Sequence, residues 1–431
     1  MALKLEQDNS QLLPIHGWAE TPKAKLGAWG AEAPLDSTIE AMRDSLHQFA
    51  ERVMRPVGIA LDRMDVQDQL KPESPYWTFF EKFKELGLSV ADLMAMPAEE
   101  RSLLLCIANE EFGWGDGGLS IVLGATMLPH VMMHYFGRQD LIEQYPEGIP
   151  GCWSITEPDH GTDMLDPSGQ LQHASGRYGR PNCVARIYDD KVVITGQKSA
   201  WCSNGPAADI CILYVAADLG DGPDPGRGAC LIVPLDAPGV SKGKTIKKLG
   251  QRALPQGEMF FDEVELPIGN LLAGPADYRR AVHAIHAEAN TLMGAVWTGV
   301  ARSAYDLAHS YVHERKQGGV PILRHQSVAS RLFHMARKVE LSRALTRRVA
   351  MYNATAPVPS LQSAMMAKVT GTQTSFEVAS DALQLFGGNG TTEEYPVEKI
   401  FRDARLSLIE DGCNEILAIK GGYQLADEER L

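Results

Sequence analysis

The chain has 431 residues, of which 44% are hydrophobic and 22% are charged, and 41 Lys and Arg against 55 Asp and Glu give a formal net charge of −14. Such a length predicts two or three packed units of an ordinary globular protein. The acidic balance argues against nucleic acid or an anionic membrane as the main partner, and no apolar run reaches the roughly 20 residues of a membrane span.

The seven cysteines are scattered along the chain, and no two of them form a Cys-x-x-Cys pair. This pattern predicts free thiols in a reducing compartment rather than a disulfide framework. The first residues have neither the apolar core of a signal peptide nor the composition of a transit peptide. We therefore expect a cytoplasmic protein, and we expect no metal site.

The predicted elements fall into three regions that follow a Pro/Gly/Ala-rich N-terminal arm over residues 1–35. Residues 36–150 have the three-to-four apolar spacing of helices. Residues 151–272 hold short β-branched runs between Gly/Pro turns, which is typical of an antiparallel β domain, and residues 273–431 are helical again. The predicted helices of this last region cover 278–314, 325–354 and 361–386, and a final helix follows Gly412. The pattern predicts an α+β protein.

Four short motifs follow one another near the C terminus. They are Gln384 to Gly390 (QLFGGNG), Glu394 to Pro396 (EYP), Arg402 to Ala404 (RDA) and Glu410 to Ile416 (EDGCNEI). Their order and spacing resemble the C-terminal signature of the acyl-CoA dehydrogenase family. That resemblance implies the fold of the family: an N-terminal helical domain, a central antiparallel β domain and a C-terminal four-helix bundle.

The catalytic base of that family is a Glu placed nine residues after the Arg of the third motif, where it removes the α-proton of a thioester. In this chain the same position is Asp411. The resemblance therefore implies a scaffold for FAD whose base is one methylene shorter. Glu410 is the other candidate for the base, but it stands where the family has Tyr, so we expect its side chain to point differently.

Two motifs of the β region resemble the flavin-binding loops of the family. Trp153 to Asp163 (WSITEPDHGTD) resembles aromatic-x-x-Thr-Glu-Pro-x-x-Gly-Ser-Asp, and Gly196 to Gly205 (GQKSAWCSNG) resembles Gly-x-Lys-x-Trp-Ile-Thr-Asn-Gly with one extra residue. Such loops offer an isoalloxazine ring a flat apolar wall and a few hydrogen-bond donors. The flavin contacts implied by this resemblance are Trp153, Ile155, Thr156, Thr162, Trp201 and Ser203. On the residues alone, the first motif also fits a simple turn, and Trp201 also fits a core aromatic.

A further set of cofactor contacts is implied by the same resemblance. In the family, the equivalent of Arg315 reaches the FAD diphosphate of a neighbouring subunit, which suits a guanidinium, and a Gly pair brings the backbone close to the pyrophosphate. This set consists of Arg315, Gln326, Gln384, Gly387, Gly388, Cys413 and Glu415. Contacts between subunits imply a homodimer or homotetramer. Arg315 alone also fits a surface charge, and Gly318 replaces a family Phe.

The function that the resemblance implies is FAD-dependent α,β-dehydrogenation of an acyl-CoA thioester. Asp411 would take the α-proton, hydride would pass to flavin N5, and an electron-transfer flavoprotein would accept the electrons. An Asp base needs its pKa raised by burial in order to work near neutrality. Asn290 stands where many members have Arg, and Glu288 is one residue away from the position of an alternative Glu base.

Three alternatives share these residues. Nitroalkane oxidases of the superfamily use an Asp base followed by Gly, although Ala418 stands where they have Arg. A non-oxidative CoA-thioester enzyme is a second alternative. Because Asp-Gly before a helix is also a good N-cap, a catalytically idle flavin-binding protein is the third. The basic cluster Lys242, Lys244, Lys247, Lys248 and Arg252 fits either a solvated surface or a polyanionic cofactor.

Overall fold

The N-terminal region is helical, as its apolar spacing predicts. The computed structural model describes Gly30, residues 35–166 and residues 179–426, so the predicted arm lies outside the described residues apart from Gly30 and Leu35. The helices that precede the sheet are α1 (Ser37–Phe49), α2 (Arg55–Arg63), α3 (Pro75–Lys84), α4 (Val90–Ala95), α5 (Ala98–Gly115), α6 (Gly117–Tyr135) and α7 (Gln139–Gln144). Helix α6 begins where Asp116 Oδ1 accepts the Leu119 amide at 2.9 Å, which is a normal N-cap contact.

The middle region forms one eight-stranded sheet. Its strands are β1 (Gly151–Ser154), β2 (Cys183–Ile187), β3 (Lys191–Ser203), β4 (Ile210–Asp218), β5 (Pro223–Pro234), β6 (Val240–Lys242), β7 (Gln256–Pro267) and β8 (Leu271–Ala273). The order is β6-β7-β3-β1-β4-β5-β8, and β2 pairs with both β3 and β4. The sheet is mixed rather than purely antiparallel, since β1 and β2 each run parallel to β4. Residue alternation predicts strands but not the direction in which distant strands pair.

The C-terminal region is built on three long helices. Its elements are α8 (Tyr278–Glu314), β9 (Lys316–Gln317), β10 (Val320–Pro321), α9 (Gln326–Thr355), α10 (Leu361–Phe386), α11 (Val397–Ser407) and α12 (Asn414–Ala426). Helices α8, α9 and α10 pack against one another, and α5 joins them from the N-terminal region. The predicted α+β fold of helices, sheet and helices is therefore confirmed.

All seven cysteines are free thiols. Within the described ranges, no helix has both the length and the apolar character that a membrane crossing requires.

Helix α8 is the central helix, and two glycines allow α5 to cross it closely. A Cβ added at Gly299 would overlap the Glu110 carbonyl oxygen, and one added at Gly113 would overlap the Val296 carbonyl oxygen. Beside this crossing, Arg302 of α8 pairs with Glu110 at 3.0 Å and with Glu111 at 2.7 Å, all in buried positions. The crossing therefore requires glycine for close approach and ion pairs for its alignment.

Replacing Gly299 by Ala should lower the free energy of unfolding by about 1–3 kcal/mol, because the added methyl group forces the two backbones apart. Gly422→Ala is the matched control, since a Cβ at Gly422 meets nothing within 4 Å, and Ala is the better helix former by up to about 1 kcal/mol. Urea unfolding of both variants measures the difference. Equal midpoints would show that the crossing relaxes without strain.

Candidate active site

The proposed base lies in the turn between α11 and α12. Asp411 has a φ of 50° and Gly412 has a φ of 88°, so two successive residues adopt the left-handed region, which Asp tolerates better than most residues. A Cβ at Gly412 would approach Leu165 Cδ1 to 2.8 Å. Among the described residues, the Asp411 carboxylate accepts no hydrogen bond, and α12 starts only at Asn414. The turn thus leaves this carboxylate available, and it does not cap the helix.

A buried lysine of α10 holds this turn. The Lys368 ammonium, which has no solvent exposure, donates to the Ser407 carbonyl at 3.2 Å, to the Gly412 carbonyl at 2.8 Å and to Asn414 Oδ1 at 2.8 Å. From α8, Asn290 Nδ2 donates to the Asp411 carbonyl at 3.4 Å. The backbone on both sides of Asp411 is therefore fixed by side chains from α8 and α10.

Burial sets the charges around the turn. It raises the pKa of Asp411, and the positive charge of Lys368 partly opposes that rise. The pKa of Glu410 rises to about 8, first through burial and then through the charge of Asp411. Burial also lowers the pKa of Lys368 to about 8. A carboxylate with a raised pKa is better matched to taking a proton near neutral pH.

Asp411 faces a cavity of about 1090 Å³. All of the predicted flavin contacts of the β region line the same cavity: Trp153, Ile155, Thr156, Thr162, Trp201 and Ser203. Trp201 is 60% exposed, so it is not a core aromatic. Trp153 Nε1 is buried and has no hydrogen-bond partner among the described residues. The structure thus brings the predicted base and these six residues together.

Buried polar contacts fix the two loops of the β region to each other. Lys198 and Glu157 have fully buried side chains and form an ion pair at 2.7 Å, and the same ammonium donates to the Ile155 carbonyl at 2.9 Å. The hydroxyls of Thr156 and Ser199 lie 2.7 Å apart. An ion pair at this depth needs all its partners in place, so it holds the first loop against β3 in one arrangement.

The other predicted cofactor contacts lie apart from this cavity, with one partial exception. Arg315, Gln326, Gln384, Gly387 and Gly388 are exposed and do not line it. They lie near the C-terminal ends of α8 and α10 and the start of α9, where the rings of Tyr311 and Phe386 stack with centroids 3.9 Å apart.

The remaining two contacts lie on the α12 side of the turn. The Cys413 amide donates to Thr162 Oγ1 at 3.3 Å, which brings this residue next to the cavity. Glu415 is exposed and does not line the cavity.

The further polar residues that line the cavity include Lys248, Gln251, Glu288 and Glu410. Sequence reasoning gave the first three no role in it and considered Glu410 only as the other candidate for the base. Lys248 belongs to the basic cluster but is buried, and burial lowers its pKa to about 7. Its ammonium donates to the Leu254 carbonyl at 2.8 Å and to Gln256 Oε1 at 2.7 Å. Glu410 lines the same cavity as Asp411, although we expected its side chain to point differently. For Lys248, Gln251 and Glu288, no signal in the sequence predicts a place in the cavity lining.

The middle and C-terminal regions match known protein families. Residues 152–264 match the acyl-CoA dehydrogenase middle domain, and residues 280–422 match the acyl-CoA dehydrogenase C-terminal domain. Cyclohexane-1-carbonyl-CoA dehydrogenase of Geobacter metallireducens is 30% identical over 326 residues, which cover 74% of this chain and 80% of that protein. The mitochondrial short-chain specific acyl-CoA dehydrogenase of Rattus norvegicus is 28% identical over 401 residues, or 89% of this chain and 88% of the relative.

The same architecture occurs in a solved structure. Butyryl-CoA dehydrogenase from Megasphaera elsdenii matches with a TM-score of 0.78 at 25% identity, over 92% of this chain and 100% of that one. Family domains, related sequences and a common fold all agree. The chain therefore belongs to the acyl-CoA dehydrogenase family, whose members are FAD-binding oxidoreductases.

Proposed function

We propose that this protein catalyses the FAD-dependent α,β-dehydrogenation of an acyl-CoA thioester, with Asp411 as the base that removes the α-proton. One observation carries this proposal: an Asp411 carboxylate free of hydrogen bonds faces the cavity lined by the six β-region residues. Ligand cavities usually measure roughly 300–1,000 Å³. A cavity of about 1090 Å³ has room for a flavin ring and an acyl group together.

The residues of the cavity fit a flavin. Trp153 Nε1 is a buried donor without a partner, and an unsatisfied buried donor is costly unless a ligand pairs with it. Trp201 offers an exposed indole face, while the hydroxyls of Thr162 and Ser203 lie in the cavity lining. We infer that these residues hold the ring. When bound, FAD supplies the acceptor for the hydride that leaves carbon 3.

Asp411 must be ionised when the substrate arrives, so activity should fall as the pH decreases through its raised pKa. An Asp reaches one carbon–carbon bond less far than a Glu. The thioester therefore has to lie closer to the turn than it would with a longer base. The contacts from Asn290 and Lys368 to the turn favour one position for that shorter carboxylate.

The remaining parts of the proposal concern partners. The exposed group of Arg315, Gln326, Gln384, Gly387 and Gly388 suits contact with the FAD diphosphate of a neighbouring subunit, in a homodimer or homotetramer. An electron-transfer flavoprotein is the proposed electron acceptor. The cytoplasm is the proposed compartment, on the basis of the seven free cysteines.

Asp411→Asn should reduce the rate of substrate-dependent flavin bleaching by about 10²–10⁴-fold, the usual contribution of a general base. The measurement is an anaerobic mixture of the purified protein with a panel of acyl-CoA thioesters and one nitroalkane, followed by the absorbance of oxidised flavin. Asp189→Asn, an exposed site, is the control and should behave as wild type. Bleaching by the nitroalkane alone would favour oxidase chemistry. Bound flavin that no compound bleaches would favour an idle or non-oxidative protein.

Lys368→Met should slow turnover and move the acid limb of the pH–rate profile to higher pH. The ammonium of Lys368 lowers the pKa of Asp411, so its loss raises that pKa and the base becomes protonated at a higher pH. Lys420→Met is the matched control, because Lys420 is also buried but donates to the Leu165 carbonyl at 2.7 Å. An acid limb that moves equally in both variants would assign the effect to lost stability alone.

Arg315→Ala should weaken FAD binding at least about tenfold, through the loss of charge-assisted hydrogen bonds to phosphate. The side chain is exposed, so the melting temperature of the FAD-free protein should stay the same. Titration of FAD fluorescence against FAD-free protein measures this change. Arg324→Ala, an exposed arginine nearby, is the control. Equal affinities in the two variants would make Arg315 a plain surface charge.

A further inference from the structure

One wall of the cavity beside Asp411 is polar. Glu410, Gln251 and Lys248 all line it, and they are neighbours, since Gln251 and Lys248 both influence the pKa of Glu410. The lining that α6 and α8 contribute is mainly apolar. Its apolar members include Leu123, Met127, Leu128, Ala289, Met293 and Val296.

Within this wall, the Glu410 carboxyl has one oxygen that lacks a hydrogen-bond partner. Its Oε1 is buried and has no partner among the described residues. Lys248 already donates to Leu254 and Gln256, and Gln251 Nε2 donates to the Asp403 carbonyl at 3.3 Å. A buried polar atom without a partner is unfavourable, and the cost disappears when a ligand supplies the missing bond.

The buried Oε1 of Glu410, which has no partner among the described residues, can accept a hydrogen bond whatever the charge of the group. Burial and the charge of Asp411 also raise the pKa of Glu410 to about 8, which favours the uncharged acid. It then offers one O–H donor as well as acceptor capacity. A neutral oxygen such as a hydroxyl or ketone matches this pattern. A second carboxylate on the substrate would instead meet repulsion from Asp411.

We propose that Glu410 determines substrate specificity by hydrogen-bonding a neutral oxygen substituent of the acyl group, close to the thioester end. This inference rests on the proposed function, because it takes Asp411 as the base at carbon 2. Glu410 and Asp411 are adjacent in the chain and line the same cavity, so in this proposal they contact neighbouring stretches of one acyl chain. The preferred substrate is then an acyl-CoA that carries oxygen near carbon 4, rather than a plain alkyl thioester.

A second carboxyl provides the contrast. Glu288 lines the cavity from a position two residues before Asn290, which corresponds to roughly 200° around an α-helix. Asn290 contacts the Asp411 backbone, so Glu288 lies on the other side of α8, where Arg101 acts on its charge. An oxygen at the far end of an acyl chain would reach Glu288 instead of Glu410. The position of the oxygen on the acyl chain therefore distinguishes recognition by Glu410 from recognition by Glu288.

The test compares matched thioesters in anaerobic stopped-flow measurements of flavin reduction. Pentanoyl-CoA is paired with 4-hydroxypentanoyl-CoA, and octanoyl-CoA with 8-hydroxyoctanoyl-CoA. The wild type should reduce its flavin with 4-hydroxypentanoyl-CoA at least about tenfold more efficiently than with pentanoyl-CoA, and should show no such gain for the 8-hydroxy compound. Glu410→Leu should reverse the preference within the first pair. Glu410→Gln keeps a donor and an acceptor, so most of the preference should remain.

Glu100→Gln, a surface change on α5, is the control and should match the wild type with all four compounds. Equal rates within the first pair, or a preference that survives Glu410→Leu, would overturn the inference while leaving the dehydrogenase function intact. A gain only for the 8-hydroxy compound would also overturn it and assign recognition to Glu288. If none of the four thioesters reduces the flavin, the proposed function itself fails. The wild-type comparison decides the matter even if Glu410→Leu does not fold.

Discussion

The ammonium of Lys368 lies where no solvent reaches it, and its acceptors come from the last residue of α11, the Asp411–Gly412 turn and the first residue of α12. A charge at that depth is costly unless its donors are satisfied, which is why burial lowers its pKa to about 8. The same requirement ties three segments to α10. The left-handed turn, the direction of the Asp411 carboxylate and the start of α12 all depend on this one set of hydrogen bonds.

A second constraint places the cavity that Asp411 faces. Helices α5 and α8 contribute much of its lining, and glycines at their crossing let them approach closely. Arg302 and Arg343 both pair with Glu110, and their guanidiniums hold the pKa of this carboxyl below its usual range although burial alone would raise it. Buried ion pairs are weak evidence for stability but they penalise misalignment. We therefore interpret this network as fixing how α5, α8 and α9 align, and hence the shape of the cavity.

Much of this arrangement could be predicted from sequence, because it depends on local patterns. Helical periodicity predicts α8 and α10 with the ends that are observed. The motifs predict that Asp411 and Trp153 belong to one site, and both residues line the same cavity. What could not be predicted depends on contacts between distant segments. The parallel pairing of β1 with β4, the burial of Lys248 and the position of Glu410 each follow from packing that residue spacing does not encode. The contact of Arg315 with a neighbouring subunit stays a prediction, because it involves a second copy of the chain.

Two adjacent carboxyls in one buried turn would be unfavourable if both were ionised. Lys368 acts on both groups, and Lys248 acts on Glu410, yet the pKa of Glu410 still rises to about 8 through burial and the charge of Asp411. When the environments of two neighbouring groups affect their pKa values differently, the two groups are suited to different chemical tasks. Asp411, whose charged form Lys368 favours, is suited to accept a proton, and Glu410, whose pKa is raised to about 8, is suited to donate a hydrogen bond. The polar wall therefore does not compete with the base, because the charge of Asp411 itself raises the pKa of Glu410 and favours a proton on that neighbour.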